Sequence, residues 1–156
     1  MQATNSLVRS IARILSPAPL LLVAAALALA APGGDALPGP YAATQIRVID
    51  GDTFAARVRI WLGTDVEVLV RLAGVDAAEL RGACDSERQL ARAARARLEG
   101  LLAGAEVWLR EVRYDKYAGR VLARVETDGR DVAATLAAEG LARPYAGGAR
   151  GSWCAD

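Results

Sequence analysis

Carboxylates and cationic side chains are concentrated in three short segments of the chain, residues 50–53, 71–79 and 115–120. In the first segment, Asp50 and Asp52 are two residues apart, a spacing that places both side chains on one face of an extended chain. The other two segments contribute Arg71, Asp76, Glu79, Asp115, Lys116 and Arg120. Charges held this close are unfavourable unless a cation or an anionic substrate lies among them. We therefore predict that the three segments converge on one site.

The absence of histidine from the sequence narrows the chemistry of that site. Ser-His-Asp triads, nucleases with a histidine base and zinc sites built on histidine all require a residue that the chain lacks. The two cysteines, Cys84 and Cys154, are also too few for a four-ligand zinc site. What remains is the chemistry of carboxylates, arginines and a hard cation that prefers oxygen ligands.

The order and spacing of the three segments resemble the staphylococcal nuclease (thermonuclease) family. The matching stretches are residues 48–53, 71–79 and 115–123, and the resemblance extends over residues 43–145. It implies an enzyme that uses Ca2+ to hydrolyse phosphodiester bonds of DNA, with RNA as a further candidate substrate, at low sequence specificity. It also implies 3′-phosphorylated products.

The resemblance assigns roles to individual residues of this chain. It implies that the metal is held by Asp52, Asp76 and the backbone carbonyl of Ala77, with Asp50 in a secondary place near the metal. It implies that Arg71 and Arg120 bind the phosphate and that Glu79 is the general base. Lys116 and Tyr117 would contact the nucleotide's terminal phosphate and base. The side-chain chemistry agrees with these roles. Calcium takes carboxylate and carbonyl oxygens, a guanidinium matches the geometry of phosphate, and a carboxylate next to the metal can take a proton from water.

Two features depart from the family pattern. The pair Ala77-Ala78 stands where the family usually has Thr-Pro, which leaves the rigidity of this loop open. An extra residue, Ala118, lies in the third segment and would shift its neighbours relative to a nucleotide. Simpler interpretations also remain for single residues. Asp50 can be a turn cap, and Arg120 and Asp115 can be an exposed ion pair that contributes under ~1 kcal/mol to stability.

Alternating apolar and polar residues predict three strands, 44–49, 53–62 and 66–71, before the first helix and two more, 106–112 and 120–127, after it. Three strands, a helix, two strands and a short helix form the order of a five-stranded Greek-key barrel, the OB-fold. The resemblance implies the same fold. We therefore predict a mainly β protein with helices, of the α+β class.

The predicted helices have sequence signals at both ends. Residues 74–83 are predicted to be a loop, after which the first helix begins near Asp85 or Ser86, with Ser86 and Gln89 as a capping box. Gly104 is suited to end this helix. Asp131 is predicted to cap the short second helix.

Residues 1–31 have the pattern of an export signal. Two arginines precede an apolar run over residues 20–31, and Ala28 and Ala30 are small residues at the positions that a signal peptidase reads. We expect export to the periplasm or out of the cell, with cleavage near Ala30 or Ala31. An uncleaved anchor is the alternative, although about a dozen apolar residues are short of the ~20 that a membrane span needs.

Residues 32–42 are rich in Pro and Gly and predict a flexible spacer, and residues 43–156 then form the nuclease-like domain. Without the two arginines of the leader, the rest of the chain carries 17 cations and 18 anions. Binding of a polyanion must therefore depend on local arginines, and we expect it to weaken with salt.

An even number of cysteines in an exported protein predicts a disulfide between Cys84 and Cys154, with two free thiols as the alternative. We expect a monomer whose partners are DNA or RNA substrates. The sequence implies no protein partner, and it implies a membrane only if residues 1–31 are retained. The alternative function is a catalytically silent OB-fold module of the cell envelope that only binds nucleic acid.

Overall fold

A computed structural model describes residues 36–154 of the chain. The predicted leader and the first part of the predicted spacer lie outside the described residues and stay predictions. In chain order the elements are β1 (Tyr41–Val48), β2 (Thr53–Trp61), β3 (Thr64–Leu72), β4 (Val75–Ala77), α1 (Asp85–Leu102), β5 (Val107–Tyr114), β6 (Arg120–Thr127), β7 (Arg130–Asp131), α2 (Val132–Ala138) and β8 (Ala142–Pro144). Neither of the two helices within residues 36–154 is long and apolar enough to cross a membrane.

Five of these strands close into a barrel. β1 pairs with β2 and β5, β2 pairs with β3, and β5 pairs with β6, all antiparallel. The barrel is closed by the parallel pair of β3 and β6, in which Leu69 lies opposite Arg120 and Arg71 opposite Leu122. The predicted OB-fold is therefore confirmed, with α1 between the third and fourth barrel strands and α2 after the fifth.

The barrel strands and one face of α1 share a single apolar core. In β2, Phe54, Ala56 and Val58 are buried and alternate with more exposed residues. From α1, Leu98 and Leu102 pack into the same cluster. Burial of a Phe, Val or Leu side chain contributes about 1.5–3 kcal/mol, so the strand ends that carry charged residues are attached to a stable scaffold.

The start of α1 differs from the prediction in its capping. The helix does begin at Asp85, but its N-cap is Cys84, which makes no side-chain capping hydrogen bond. The predicted capping box of Ser86 and Gln89 is therefore wrong. The carboxylate of Glu87 is buried here and accepts a 2.8 Å hydrogen bond from the backbone N–H of Ala83, which satisfies an amide ahead of the helix.

The segment predicted as a loop, residues 74–83, contains a strand. β4 pairs antiparallel with β8, so that Asp76 lies opposite Arg143 and Ala77 opposite Ala142. The N–H of Tyr145 extends this pairing with a 2.8 Å hydrogen bond to the carbonyl of Gly74. The backbone on both sides of Asp76 is thus fixed by a distant part of the chain.

The two cysteines form the predicted disulfide. Cys84 and Cys154 are bonded, with their Cα atoms 5.9 Å apart and a sequence separation of 70. The bond fastens the segment after β8 to the N-terminus of α1. Closing a loop of this length restricts the unfolded chain far more than the folded one.

We expect the double substitution of Cys84 and Cys154 by Ser to lower the free energy of unfolding by about 4 kcal/mol, since the unfolded chain regains its loop entropy. Urea denaturation of the oxidised protein and the variant measures the difference. Reduction of the wild type should reproduce it. An unfolding midpoint that is unchanged by reduction would contradict the expectation.

Candidate active site

The hairpin of β2 and β3 brings together two residues that the sequence separates. Thr53, the first residue of β2, lies opposite Arg71, near the end of β3. The N–H of Leu72 donates a 2.9 Å hydrogen bond to the carbonyl of Asp52. The antiparallel register therefore places the Asp52 carboxylate next to the Arg71 guanidinium.

Arg71 bridges the two aspartates that the sequence proposes as metal ligands. Its Nη2 atom lies 2.8 Å from Oδ2 of Asp52 and 2.9 Å from Oδ1 of Asp76. The three residues are only 4%, 7% and 5% exposed, for Asp52, Arg71 and Asp76 respectively. Asp52 also accepts a 2.8 Å hydrogen bond from the Thr53 hydroxyl and a 3.2 Å bond from the N–H of Ala77. Every carboxylate oxygen of Asp52 is thus engaged.

Burial raises the pKa of Asp52 to about 6, although Arg71 acts in the opposite direction. The nearby carboxylate of Asp50 adds to the increase, whereas the hydrogen bonds from Thr53 and Ala77 reduce it. The single shared guanidinium therefore compensates only part of the desolvation of this anion. A divalent cation at the same place would favour the charged form, and the donor set of buried carboxylates suits a hard, oxygen-preferring ion.

The turn before β2 needs its glycine because three elements meet there. A Cβ atom on Gly51 would lie 2.7 Å from Cβ of Ala94 in α1 and 2.8 Å from Cβ of Ala77 in β4. Asp50 accepts a 3.1 Å hydrogen bond from the N–H of Asp52, which is the turn-capping geometry. The close approach of the turn to α1 and β4 places the Asp52 carboxylate next to β4.

Glu79 follows β4 and is held by an arginine from outside the three charged segments, Arg150. Nη1 of Arg150 contacts Oε1 of Glu79, and Nε of Arg150 lies 3.0 Å from Oδ1 of Asp76. The Glu79 side chain is 52% exposed, so its carboxylate is accessible to water. Arg150 is 71 residues from Glu79 in sequence, and nothing in its local pattern indicates this contact.

The third segment forms the turn between β5 and β6. Nε of Arg120 lies 2.5 Å from Oδ2 of Asp115, and the same guanidinium lies 4.8 Å from the centre of the Tyr117 ring. The Nζ atom of Lys116 also lies close to this ring, 5.1 Å from its centre. Burial acts to raise the pKa of Asp115, but the hydrogen bonds from Arg120 and the Lys116 N–H outweigh it and hold the pKa below its usual value.

A cleft of about 770 Å³ joins these parts. Its lining includes five cations and one carboxylate, namely Arg71, Arg113, Lys116, Arg120, Arg150 and Asp115. The near-neutral domain thus gathers five cationic side chains along one cleft. Asp52 and Asp76 lie behind Arg71, Ala77 lies next to Asp52, and Glu79 reaches the cleft through its contact with Arg150.

A second group of metal-binding residue types lies within residues 36–154, but it does not form a metal site. Cys84, Glu87 and Cys154 bring their ligand atoms within 4.8 Å of one another. The two sulfurs are bonded to each other, so they present no thiolate to a metal. The buried aspartates at Arg71 are therefore the better-suited place for a cation.

A comparison with protein-family models matches residues 69–151 to the family described as staphylococcal nuclease homologue. The match covers just over half of the 156 residues and runs from β3 to Gly151, after β8. It includes Arg71, Asp76, Glu79 and Arg120, whereas Asp52 lies ahead of it. A comparison with curated proteins finds no match.

Proposed function

This chain belongs to the staphylococcal nuclease homologue family, and we propose that it is an exported, calcium-dependent nuclease that hydrolyses phosphodiester bonds of DNA and RNA with little sequence preference. One observation carries the proposal. A pair of buried carboxylates, Asp52 and Asp76, shares the Arg71 guanidinium directly beside a cleft that is rich in cations. The carboxylates would bind a cationic cofactor, and the cations of the adjoining cleft would bind an anionic substrate.

The carboxylates of Asp52 and Asp76, with the carbonyl of Ala77, would hold the cation. When bound, a divalent cation polarises a phosphodiester oxygen and offsets the negative charge that develops on it. We favour calcium because it accepts carboxylate, carbonyl and water oxygens in irregular geometry.

The arginines of the cleft would bind the scissile phosphate. Arg71 and Arg120 each offer a planar fork of N–H donors that fits two phosphate oxygens. Arg120 is held in place by Asp115 and by the Tyr117 ring, so little of its side-chain freedom is left to lose on binding. Lys116 and Tyr117, at the rim of the same cleft, would contact the neighbouring phosphate and base.

Glu79 would take the proton from the attacking water. The water oxygen forms a bond to phosphorus, its proton passes to the Glu79 carboxylate, and the bond from phosphorus to the 5′ oxygen of the next nucleotide breaks. That alkoxide collects a proton from solvent, which leaves a 3′-phosphate and a 5′-hydroxyl. The half-exposed position of Glu79 gives water access to its carboxylate.

The proposal is tested by digesting single-stranded DNA and RNA oligonucleotides of mixed and uniform sequence with calcium, followed by analysis of the product ends. We expect cleavage at many positions and 3′-phosphate ends. A folded domain that leaves every oligonucleotide intact in calcium would contradict the proposal.

Two exposed aromatic residues support the second candidate, a binding module without catalysis. Tyr114 and Tyr117, at the end of β5 and in the following turn, are 80% and 56% exposed. Stacking of bases on such rings next to Lys116 is how OB-folds hold single strands. Binding of an oligonucleotide in calcium without hydrolysis would favour this function.

We expect calcium to stabilise the domain by about 2.7 kcal/mol at a concentration roughly 100-fold above its Kd, because it binds the folded state alone. Asp76→Asn should remove most of this gain, since it takes away one of the two carboxylates. Thermal unfolding with and without calcium measures the effect. Asp65→Asn is the control, because Asp65 pairs with surface arginines outside the cleft. Equal calcium effects on both variants would contradict the assignment.

Export of residues 32–156 after removal of the leader remains part of the proposal. It is supported by the arginines, the apolar run and the small residues of residues 1–31. The Cys84–Cys154 disulfide suits an oxidising compartment. Intact-mass measurement of the exported protein tests it, and a mass that includes Met1 would contradict cleavage.

A further inference from the structure

The segment after β8, residues 145–154, is fastened at both ends and runs along the cleft; we call it the tail loop. At one end β8 pairs with β4, and Tyr145 donates to the carbonyl of Gly74. At the other end Cys154 is bonded to Cys84. The tail loop is therefore held in place, although it contains neither helix nor strand.

The returning half of the tail loop has a further anchor on β8. The guanidinium of Arg143 lies 3.7 Å from the centre of the Trp153 ring, and its Nη1 atom donates a 2.7 Å hydrogen bond to the carbonyl of Ser152. Stacked arginine and tryptophan attract each other through the ring quadrupole. These contacts and the disulfide fix the backbone within a few residues of Arg150.

Arg150 extends from the tail loop into the cleft. It contacts Asp76 and Glu79 and lines the cleft together with Arg71 and Arg120. Its side chain is 40% exposed, so an ion pair made only for stability would be weakened by solvent. An exposed arginine facing the reacting groups is better placed to bind substrate than to hold the fold.

The charges around Arg150 indicate what it would bind. The carboxylates of Asp52, Asp76 and Glu79 face the guanidiniums of Arg71 and Arg150, which leaves one negative charge in excess. A divalent cation on the aspartates would reverse the balance to one positive charge. The cluster would then match the single negative charge of a phosphodiester group.

We propose, on the premise of the proposed nuclease function, that Arg150 is a third phosphate-binding arginine of the cleft and that the Cys84–Cys154 disulfide positions it. The substrate group is a phosphodiester of the bound strand. Reduction of the disulfide frees the tail loop at one end and withdraws Arg150 from the substrate. Substrate affinity thereby depends on the oxidation state of the two cysteines.

Steady-state cleavage of a single-stranded oligonucleotide in calcium, as a function of salt, tests the role of Arg150. We expect Arg150→Ala to raise KM about tenfold, as for the loss of one charge-assisted contact, and Arg150→Lys to recover part of it. The salt slope should fall by about 0.7, the value for one phosphate contact on a single strand. Arg97→Ala is the matched control, because Arg97 is 42% exposed and pairs with Glu139 on the surface.

A KM and salt slope of Arg150→Ala equal to those of the wild type would overturn the proposal while leaving the nuclease function intact. If the wild type does not cleave, the nuclease function fails, and the same oligonucleotide is titrated in the same buffer by fluorescence anisotropy. A tenfold weaker Kd for Arg150→Ala would then still support the phosphate contact. An unchanged Kd would overturn it.

Reduction tests the role of the disulfide in the same assay. We expect dithiothreitol to raise the KM of the wild type toward that of Arg150→Ala and to leave the variant within about twofold. Far-ultraviolet circular dichroism at the assay temperature checks that both reduced proteins stay folded. Equal changes in both proteins, or no change in either, would overturn the positioning role.

Discussion

Glu79→Gln is expected to lower kcat by about 100- to 10,000-fold, the range for loss of a general base. Glutamine keeps the size and the acceptor oxygen of the side chain but cannot take up the proton of the attacking water. The Glu79 side chain is 52% exposed and touches the fold mainly through Arg150, so we expect the free energy of unfolding to change by less than about 0.5 kcal/mol. Turnover of denatured DNA in calcium and urea denaturation measure the two effects.

Glu139→Gln is the matched control for this variant. Glu139 is also a partly exposed glutamate paired with an arginine, but its partner Arg97 lies on α1 outside the cleft. We expect wild-type turnover from it. A Glu79→Gln variant with the turnover of this control would remove Glu79 from the role of base.

Arg120→Ala is expected to lower kcat by about 100- to 1,000-fold, as when one preorganised donor to a developing charge is removed. The guanidinium is held by Asp115 and the Tyr117 ring at the edge of the cleft. Arg120→Lys should recover only part of the rate, because an ammonium keeps the charge and loses the planar fork. The rates of both variants in calcium test this.

Arg124→Ala, on the same strand, is the control for Arg120. Arg124 pairs with Glu126 and Asp131 and does not line the cleft. Wild-type turnover is expected from this variant. If Arg120→Ala keeps the same turnover while its melting temperature is unchanged, Arg120 is an ordinary surface ion pair, the simpler interpretation that the sequence allows.

The barrel could be predicted because its strands carry their own signal. Phe54, Ala56 and Val58 alternate with the more exposed Ala55, Arg57 and Arg59 over a strand long enough to show the period. The cap of α2 was equally local, since the Asp131 side chain accepts a 2.8 Å hydrogen bond from the N–H of Ala134, as predicted. Patterns within about ten residues are sufficient for elements of this kind.

The missed strand β4 and the missed role of Arg150 depend on distant parts of the chain. β4 has only three residues, too few to show a period, and its partner β8 lies more than 60 residues away. Arg150 reaches Glu79 only because β8 and the disulfide bring the tail loop back. The capping box failed for a different, local reason: the N-cap is Cys84, and the Glu87 carboxylate satisfies the amide of Ala83.

The charge of the candidate site could also not be predicted from the sequence. The sequence established that cations and anions nearly balance, which argued for local arginines rather than a basic domain. The folded chain gathers five cations and one carboxylate around one cleft. Arg71 and Arg120 are neighbours there because β3 and β6 pair in parallel, a register that residue spacing alone does not contain.

The dependence of DNA hydrolysis on calcium is the most direct test of a cation site at Asp52 and Asp76. Denatured DNA is incubated with the oxidised protein in calcium, then with excess chelator, and then after calcium is restored. We predict cleavage in calcium, none in chelator, and recovery of the full rate on restoration. Cleavage that continues unchanged in chelator, or a folded protein that is silent in calcium, would contradict a calcium-dependent nuclease.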